Sequence, residues 1–242
     1  MLKSLMSWIG EREHRLRHSF GKDIKTRRGR FWAHVHYHLV DHAFLRLPWT
    51  NFFEIAPGVY RSNHPGPRRL KRYHDMGITS VLTLRGKERY AHYLFEEETC
   101  RKLGMKLYIT KLWARNATNR DRLVAVLDTI REIEKPFVFH CKSGADRAGI
   151  VSAMYLMVFE NVPVEEAKKQ LGVKYLHLKW TKTGVQDFIL DVYEARKNQE
   201  PIGFEDWLKT EYRAMRLDVF YERGDTPDQA ARQLRELAEV NA

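Results

Sequence analysis

FVFHCKSGADRAGIVSAMYLM, residues 137–157, decides how the chain is read. Phe137, Val138 and Phe139 form a short apolar run of the buried-strand type, a small polar loop opens at Cys141, and from Arg147 the sequence turns apolar for long enough to make a helix. A loop between a buried strand and a helix N-terminus is where parallel sheets place their ligand sites. Its backbone N–H groups can turn inward as an anion nest, and the helix adds its positive end to the same point, so a phosphate fits there. Cys141 at the mouth of that field, with Arg147 six positions on, meets the conditions that favour a nucleophilic thiolate. The Arg147 fork can hold two oxygens of a tetrahedral dianion, which a lysine cannot reproduce. Gly144 allows the tight loop, and Gly149 allows close packing behind it.

Working outward, GVYRS (58–62), ITSVLTLRG (78–86) and MKLYITKLW (105–113) read as further strands. Helical patterns cover 29–46, 68–77 with Gly77 as its stop, and 90–103. A further helix starts from Asn119, with Leu123, Val126, Leu127 and Ile130 on one face. After the loop, helices are expected through Met157, at 164–170 and at 182–196, followed by an amphipathic tail from Phe204 in which Thr226-Pro227 caps and begins a last helix. Strands alternating with helices imply an α/β fold, with a four- or five-stranded, mostly parallel sheet between helical layers. The organisation expected is a basic helical extension (1–50), a main domain (51–196) and a helical C-terminal extension (197–242).

The 242 residues carry a net charge of +11, and no apolar run is long enough to span a bilayer. Two cysteines are too few for a disulfide framework, and the N-terminus has no signal-peptide pattern, which favours a cytoplasmic location with free thiols. Residues 1–30 hold nine Lys/Arg against three acids. With Leu2, Leu5, Met6, Trp8 and Ile9 on one side, this arm suits peripheral contact with an anionic membrane. No nucleic-acid-binding pattern accompanies the charge.

HCKSGADRAG resembles the signature of the Cys-based protein tyrosine phosphatase superfamily, nearest to bacterial members of its compact dual-specificity branch. GVYRSNHPGP, ITSVLTLRG and LGVKYLHLKWTKTG are also similar to segments of those proteins, so the resemblance covers about residues 51–196. It implies phosphomonoester hydrolysis through a cysteinyl-phosphate. Cys141 would be the nucleophile and His140 would position it. Lys142, Ser143, Gly144, Ala145, Asp146 and Arg147 would cradle the phosphate without metal or cofactor, and Arg61 would stand at the mouth. The implied substrate is a phosphotyrosine, phosphoserine or phosphothreonine protein. A phosphorylated lipid or glycolipid at a membrane face is the alternative, and a phosphate-binding module of weak activity is a second.

Two departures qualify the resemblance. The segment that supplies the family's usual general acid, TKLWARNATNR (110–120), contains no Asp or Glu. Asp146 is the first substitute and Asp121 the second. Ala148 stands where a hydroxyl normally stabilises the departing thiolate. Among the other candidates, His34, His38 and His42 recur at helical spacing and read as a polar face rather than a metal stripe. Arg61, His64, Arg85 and Arg115 are placed near the substrate mouth, and Cys100 is a packing residue.

Overall fold

A computed structural model describes residues 19–240 of the chain. Its sheet has five strands, β1 (Phe53–Ala56), β2 (Val59–Asn63), β3 (Ser80–Thr83), β4 (Lys106–Ile109) and β5 (Phe137–Cys141), in the order β1-β2-β5-β3-β4. All neighbours are parallel except β1 and β2, which are joined through Pro57-Gly58, where Gly58 adopts φ +75°. That conformation suits glycine after proline in a turn. β1 was not anticipated, because four half-buried residues at a sheet edge are too few to show a period.

The register sets Asn63 beside Cys141 and Thr83 beside His140. The segments leaving β2, β3 and β5 therefore converge at one edge of the sheet, around the Cys141 loop.

Side chains of the central strands alternate between two apolar layers, as the pleat requires. Leu82, Phe137 and Phe139 face one core together with helices α4 (Arg120–Glu132), α5 (Asp146–Phe159) and α7 (Val185–Gln199). Val81 and Val138 face the other, with Leu70, Tyr73 and Cys100 from α2 (Pro67–Asp75) and α3 (Ala91–Leu103). Each such aliphatic or aromatic side chain contributes about 1.5–3 kcal/mol by leaving water. Between α5 and α7 the short helix α6 (Val164–Ala167) tightens into a 3-10 turn at 168–170, so the helix expected over 164–170 ends early.

The C-terminal helices α8 (Phe204–Thr210), α9 (Ala214–Arg223) and α10 (Pro227–Glu239) add Trp207, Leu217, Phe220 and Leu234 to the same core that contains Phe139. Thr226 caps α10 as expected, with Gln229 closing the reciprocal bond and Pro227 as the first helical residue.

At the other end, the helix expected over 29–46 is broken. α1 (Arg27–Val35) passes into a π-turn at His36–Val40 and a 3-10 turn at Ala43–Arg46, with His42 in the left-handed region at φ +55°. The break places Asp41 where its carboxylate pairs with both Arg46 and Arg85. Among the described residues, no helix is long and apolar enough to cross a membrane.

Candidate active site

Cys141 ends β5, and its sulfur accepts a hydrogen bond from the Gly144 N–H at 3.2 Å. Gly144 takes φ +74°, where a β-carbon would approach the Asn63 nitrogen to 2.7 Å. Only glycine closes the loop this tightly. The Ala145 N–H donates to the Ser143 hydroxyl at 3.3 Å, and Asp146 opens the 14-residue α5. Arg147 has a buried Nε without a hydrogen-bond partner. A buried guanidinium donor in that condition is suited to an oxyanion. Gly149 lets α5 pack on Leu171, whose Cδ2 would lie 2.5 Å from an added β-carbon.

Arg61 is not at the mouth. It is fully buried behind the loop, donates to the carbonyls of Gly144 (2.7 Å), Ala145 (3.2 Å) and Gln170 (2.9 Å), and lies 3.9 Å from the Tyr175 ring centre. Burial lowers its pKa to about 10, so it stays charged at neutral pH. These bonds brace the loop by occupying two of its carbonyls. Asn51 does related work, donating to the Ser143 carbonyl at 3.1 Å and the Tyr175 carbonyl at 2.9 Å. His64 is buried too, and its backbone N–H binds the Lys142 carbonyl at 3.2 Å.

His140 is inaccessible to solvent. Its Nε2 lies 2.5 Å from Glu96 Oε1 and its Nδ1 lies 3.3 Å from the Cys141 carbonyl. Both ring nitrogens thus face oxygen atoms of the protein, which fixes the orientation of the ring beside Cys141. Glu96 had no sequence signal; it lies in an ordinary helix 44 residues away. His64, Glu96 and His140 offer ligand atoms within 4.8 Å of one another, the one such buried group among the described residues. The helical histidine stripe is not such a group. His34 and His38 stack with ring centres 6.4 Å apart, while His42 has left the helix.

The two acid candidates separate clearly. Asp146 lies in the loop and its Oδ1 accepts from His177 Nδ1 at 2.8 Å, while His177 Nε2 donates to Asp187 at 2.6 Å. Burial opposes a charge on His177, but the hydrogen bonds with Asp146 and Asp187 outweigh it and raise its pKa to about 9. Asp121 is exposed in the first turn of α4, beside a depression that Lys87, Lys111 and Arg122 also line. The acid-free segment is pinned: the Gln186 side chain donates to the carbonyls of Trp113, Ala114 and Asn116, and Asp218 accepts from the Ala117 N–H at 2.6 Å. His177 lies in LGVKYLHLKWTKTG, but neither it nor Asp187 stood out by spacing.

Arg85 is buried rather than lining the mouth, held bidentately by Asp41 at 2.7 and 3.2 Å. Asp41 also binds Arg46 at 2.6 Å and reaches to 3.7 Å from Lys142 Nζ, which ties the N-terminal segment to the loop. Burial acts against this carboxylate, yet Arg85 and its neighbours hold its pKa far below the ordinary range. Arg115 is exposed, and Ala148 is buried against the core. Cys100 is buried, with its thiol pKa pushed up to about 12 by burial and by Glu96, which suits a packing residue.

No curated protein matches the sequence. Among solved structures, P. aeruginosa TpbA, as a cysteine-to-serine variant in complex with phosphotyrosine, is 18% identical over 53% of this chain and 76% of its own, with a TM-score of 0.45. Tk-PTP in its active form is 20% identical over 59% and 97%, with a TM-score of 0.48. The catalytic core of the S. cerevisiae PP-IP phosphatase SIW14, in complex with citrate, is 16% identical over 64% and 96%, with a TM-score of 0.46. A family model described as Swiss Army Knife protein, DSP-PTPase phosphatase domain, matches residues 60–183, just over half of the chain and the whole stretch from β2 to the segment that holds His177, and the protein belongs to that family.

Proposed function

We propose that this phosphatase hydrolyses phosphate monoesters in two transfers through Cys141. In the first, the thiolate electron pair forms an S–P bond as the P–O bond to the leaving group breaks, and the leaving oxygen takes up the proton shared by Asp146 and His177. In the second, water attacks phosphorus, gives its proton back to that pair, and the S–P bond returns its electrons to sulfur. The loop N–H groups and Arg147 hold the equatorial oxygens throughout, where charge is spread in the transition state. The observation that carries this reading is the loop itself: a sulfur already receiving a backbone N–H at 3.2 Å, followed by an arginine whose buried Nε has no partner.

Phosphotyrosine, phosphoserine or phosphothreonine of a protein is the first substrate class. A phosphorylated lipid is the second, favoured by the stretch from Leu171 to Gln186, which follows α6, contains no acid and exposes both apolar and lysine side chains. Hydrolysis of para-nitrophenyl phosphate that persists in chelator and vanishes in Cys141→Ser is the expected result. Unchanged turnover in that variant removes the proposal, and vanadate binding without any turnover in the native chain reduces the protein to a phosphate-binding module. Parallel assay of phosphopeptides and phosphorylated lipids then separates the two substrate classes.

A further inference from the structure

Residues 173–180, VKYLHLKW, run beside the catalytic loop with alternating directions. Tyr175 and His177 point inward to Arg61 and Asp146, while Val173, Leu176, Leu178 and Trp180 are exposed, Trp180 to 71%. Lys174, Lys179 and Lys182 are exposed between and after them. Leu176 occupies the left-handed region at φ +60°, ψ +28°. For a leucine this conformation is strained, and glycine or asparagine would relax it. Packing does not explain the choice, because the Leu176 side chain is 54% exposed.

A second exposed stretch also reaches the loop. Leu39, Leu45, Leu47 and Trp49 protrude from the segment whose Asp41 reaches Lys142. Asn51 joins the two stretches, since its side chain binds both Ser143 of the loop and Tyr175. Residues 39–49 and 173–180 make up less than a tenth of the described chain, yet they hold nine of its sixteen exposed large apolar side chains. An apolar concentration of this kind marks an interaction surface rather than chance exposure.

We infer that these two stretches form a collar that docks on an anionic lipid bilayer and lays the mouth of the catalytic loop against the headgroups. Charge decides the partner: apolar and tryptophan tips rise between lysines with no acid from Leu171 to Gln186. Tips of this kind enter the boundary between headgroups and acyl chains, while lysine stems lie along apolar surface and keep their ammonium groups at lipid phosphates. The collar is distinct from the basic arm of residues 1–30, whose apolar side at Leu2, Leu5, Met6, Trp8 and Ile9 lies outside the described residues. It deepens the lipid reading of the site and rests on the proposed phosphatase chemistry only for its consequence, not for binding.

The test is cosedimentation of the full chain with vesicles of phosphatidylcholine alone or mixed with phosphatidylglycerol, at low and high salt. Three variants are compared: Leu176→Asn, Trp180→Ala, and Lys179→Gln with Lys182→Gln. Leu176→Asn removes an apolar tip while relaxing the backbone, so a loss of binding there is not a loss of folding. Native protein is expected to bind the anionic vesicles in a salt-sensitive way. Trp180→Ala and Leu176→Asn should each weaken binding about tenfold, and the double lysine variant on the order of tenfold or more. Hydrolysis of a soluble aryl phosphate should be unchanged in all three. Absent vesicle binding, or binding that all three variants retain, overturns the collar, and in the latter case deletion of residues 1–18 identifies the arm as the membrane contact. Variants that lose binding to a soluble phosphopeptide without affecting vesicles reassign the surface to a protein partner. A native chain that binds vesicles but hydrolyses nothing refutes the catalytic proposal and leaves the collar standing.

Discussion

His177 Nδ1 stands 2.8 Å from Asp146 Oδ1, so the one acid at the end of the phosphate loop accepts a hydrogen bond from a buried imidazole that Asp187 supports from behind at 2.6 Å. The segment TKLWARNATNR lacks a carboxylate, whereas Asp146 lies in the loop that begins at Cys141.

The pH dependence follows from the sign of the His177 shift. Its pKa rises from 6.5 to about 9 on folding, so its stabilisation is complete below about pH 6.5 and is lost as pH rises through about 9. His177→Asn should therefore cost about 1–3 kcal/mol near pH 6, and much less near pH 10. In activity, native kcat for an unactivated phosphate ester should fall above about pH 9, and that basic limb should move or vanish in the variant. Chemical denaturation and pH–rate profiles measure the two effects; an unmoved limb would separate His177 from catalysis.

Asp146→Asn should reveal itself through the leaving group. General acid catalysis is typically worth about 10²–10⁴-fold where protonation is needed. Phosphotyrosine turnover should drop by about that factor, while an activated aryl phosphate with a low leaving-group pKa should lose far less. Equal losses on both substrates would exclude the role, and a selective loss in Asp121→Asn would transfer it to that exposed residue.

Glu96→Gln keeps the size of the side chain but replaces one oxygen of the carboxyl group that lies 2.5 Å from His140 Nε2 by an amide NH2. A mismatched polar group in so buried a contact should destabilise the fold by about 1–3 kcal/mol. It should also slow alkylation of Cys141 by iodoacetate, because the ring of the neighbouring His140 is held less firmly once one of the facing oxygens becomes an amide NH2. Unaltered alkylation would reduce Glu96 to a packing role.

Ala148→Ser restores a hydroxyl at the start of α5, where the native side chain is fully buried. Serine is preferred to threonine because an extra methyl in a filled core costs about 1–3 kcal/mol. A pre-steady-state burst in the native enzyme, with a higher steady-state rate and a smaller burst in Ala148→Ser, would show that release of the thiolate limits turnover. No change in either would mean that the missing hydroxyl has been replaced by the Gly144 N–H on the sulfur.

Asp41→Asn tests the link between the N-terminal segment and the loop. It leaves Arg46 and Arg85 facing a neutral amide in a buried site, which should cost about 3–5 kcal/mol. The native carboxylate is held well below its ordinary range, so its contribution is full above about pH 4 and persists until strong acid. Thermal melts of both proteins at pH 7 and pH 4 should differ by the same amount.

The sequence alone determined the strand, loop and helix N-terminus that hold the candidate site, because they are contiguous in residues 137–157 and each leaves a local pattern of polarity and small residues. The same local reading located the buried strands Ser80–Thr83 and Val59–Asn63 and the Thr226 cap. Only tertiary structure decided what surrounds the loop. Arg61 turned from a mouth residue into a brace because parallel pairing of β2 with β5 puts it behind Gly144, 83 residues away in sequence. Glu96 reaches His140, and His177 reaches Asp146, across separations of 44 and 31 residues. The helical period expected over 29–46 breaks at Asp41, whose carboxylate pairs with Arg85 from 44 residues away. Periodicity and capping are governed by residues within one or two turns of each other, whereas these pairings depend on the register of distant segments, which a single chain read in order does not display.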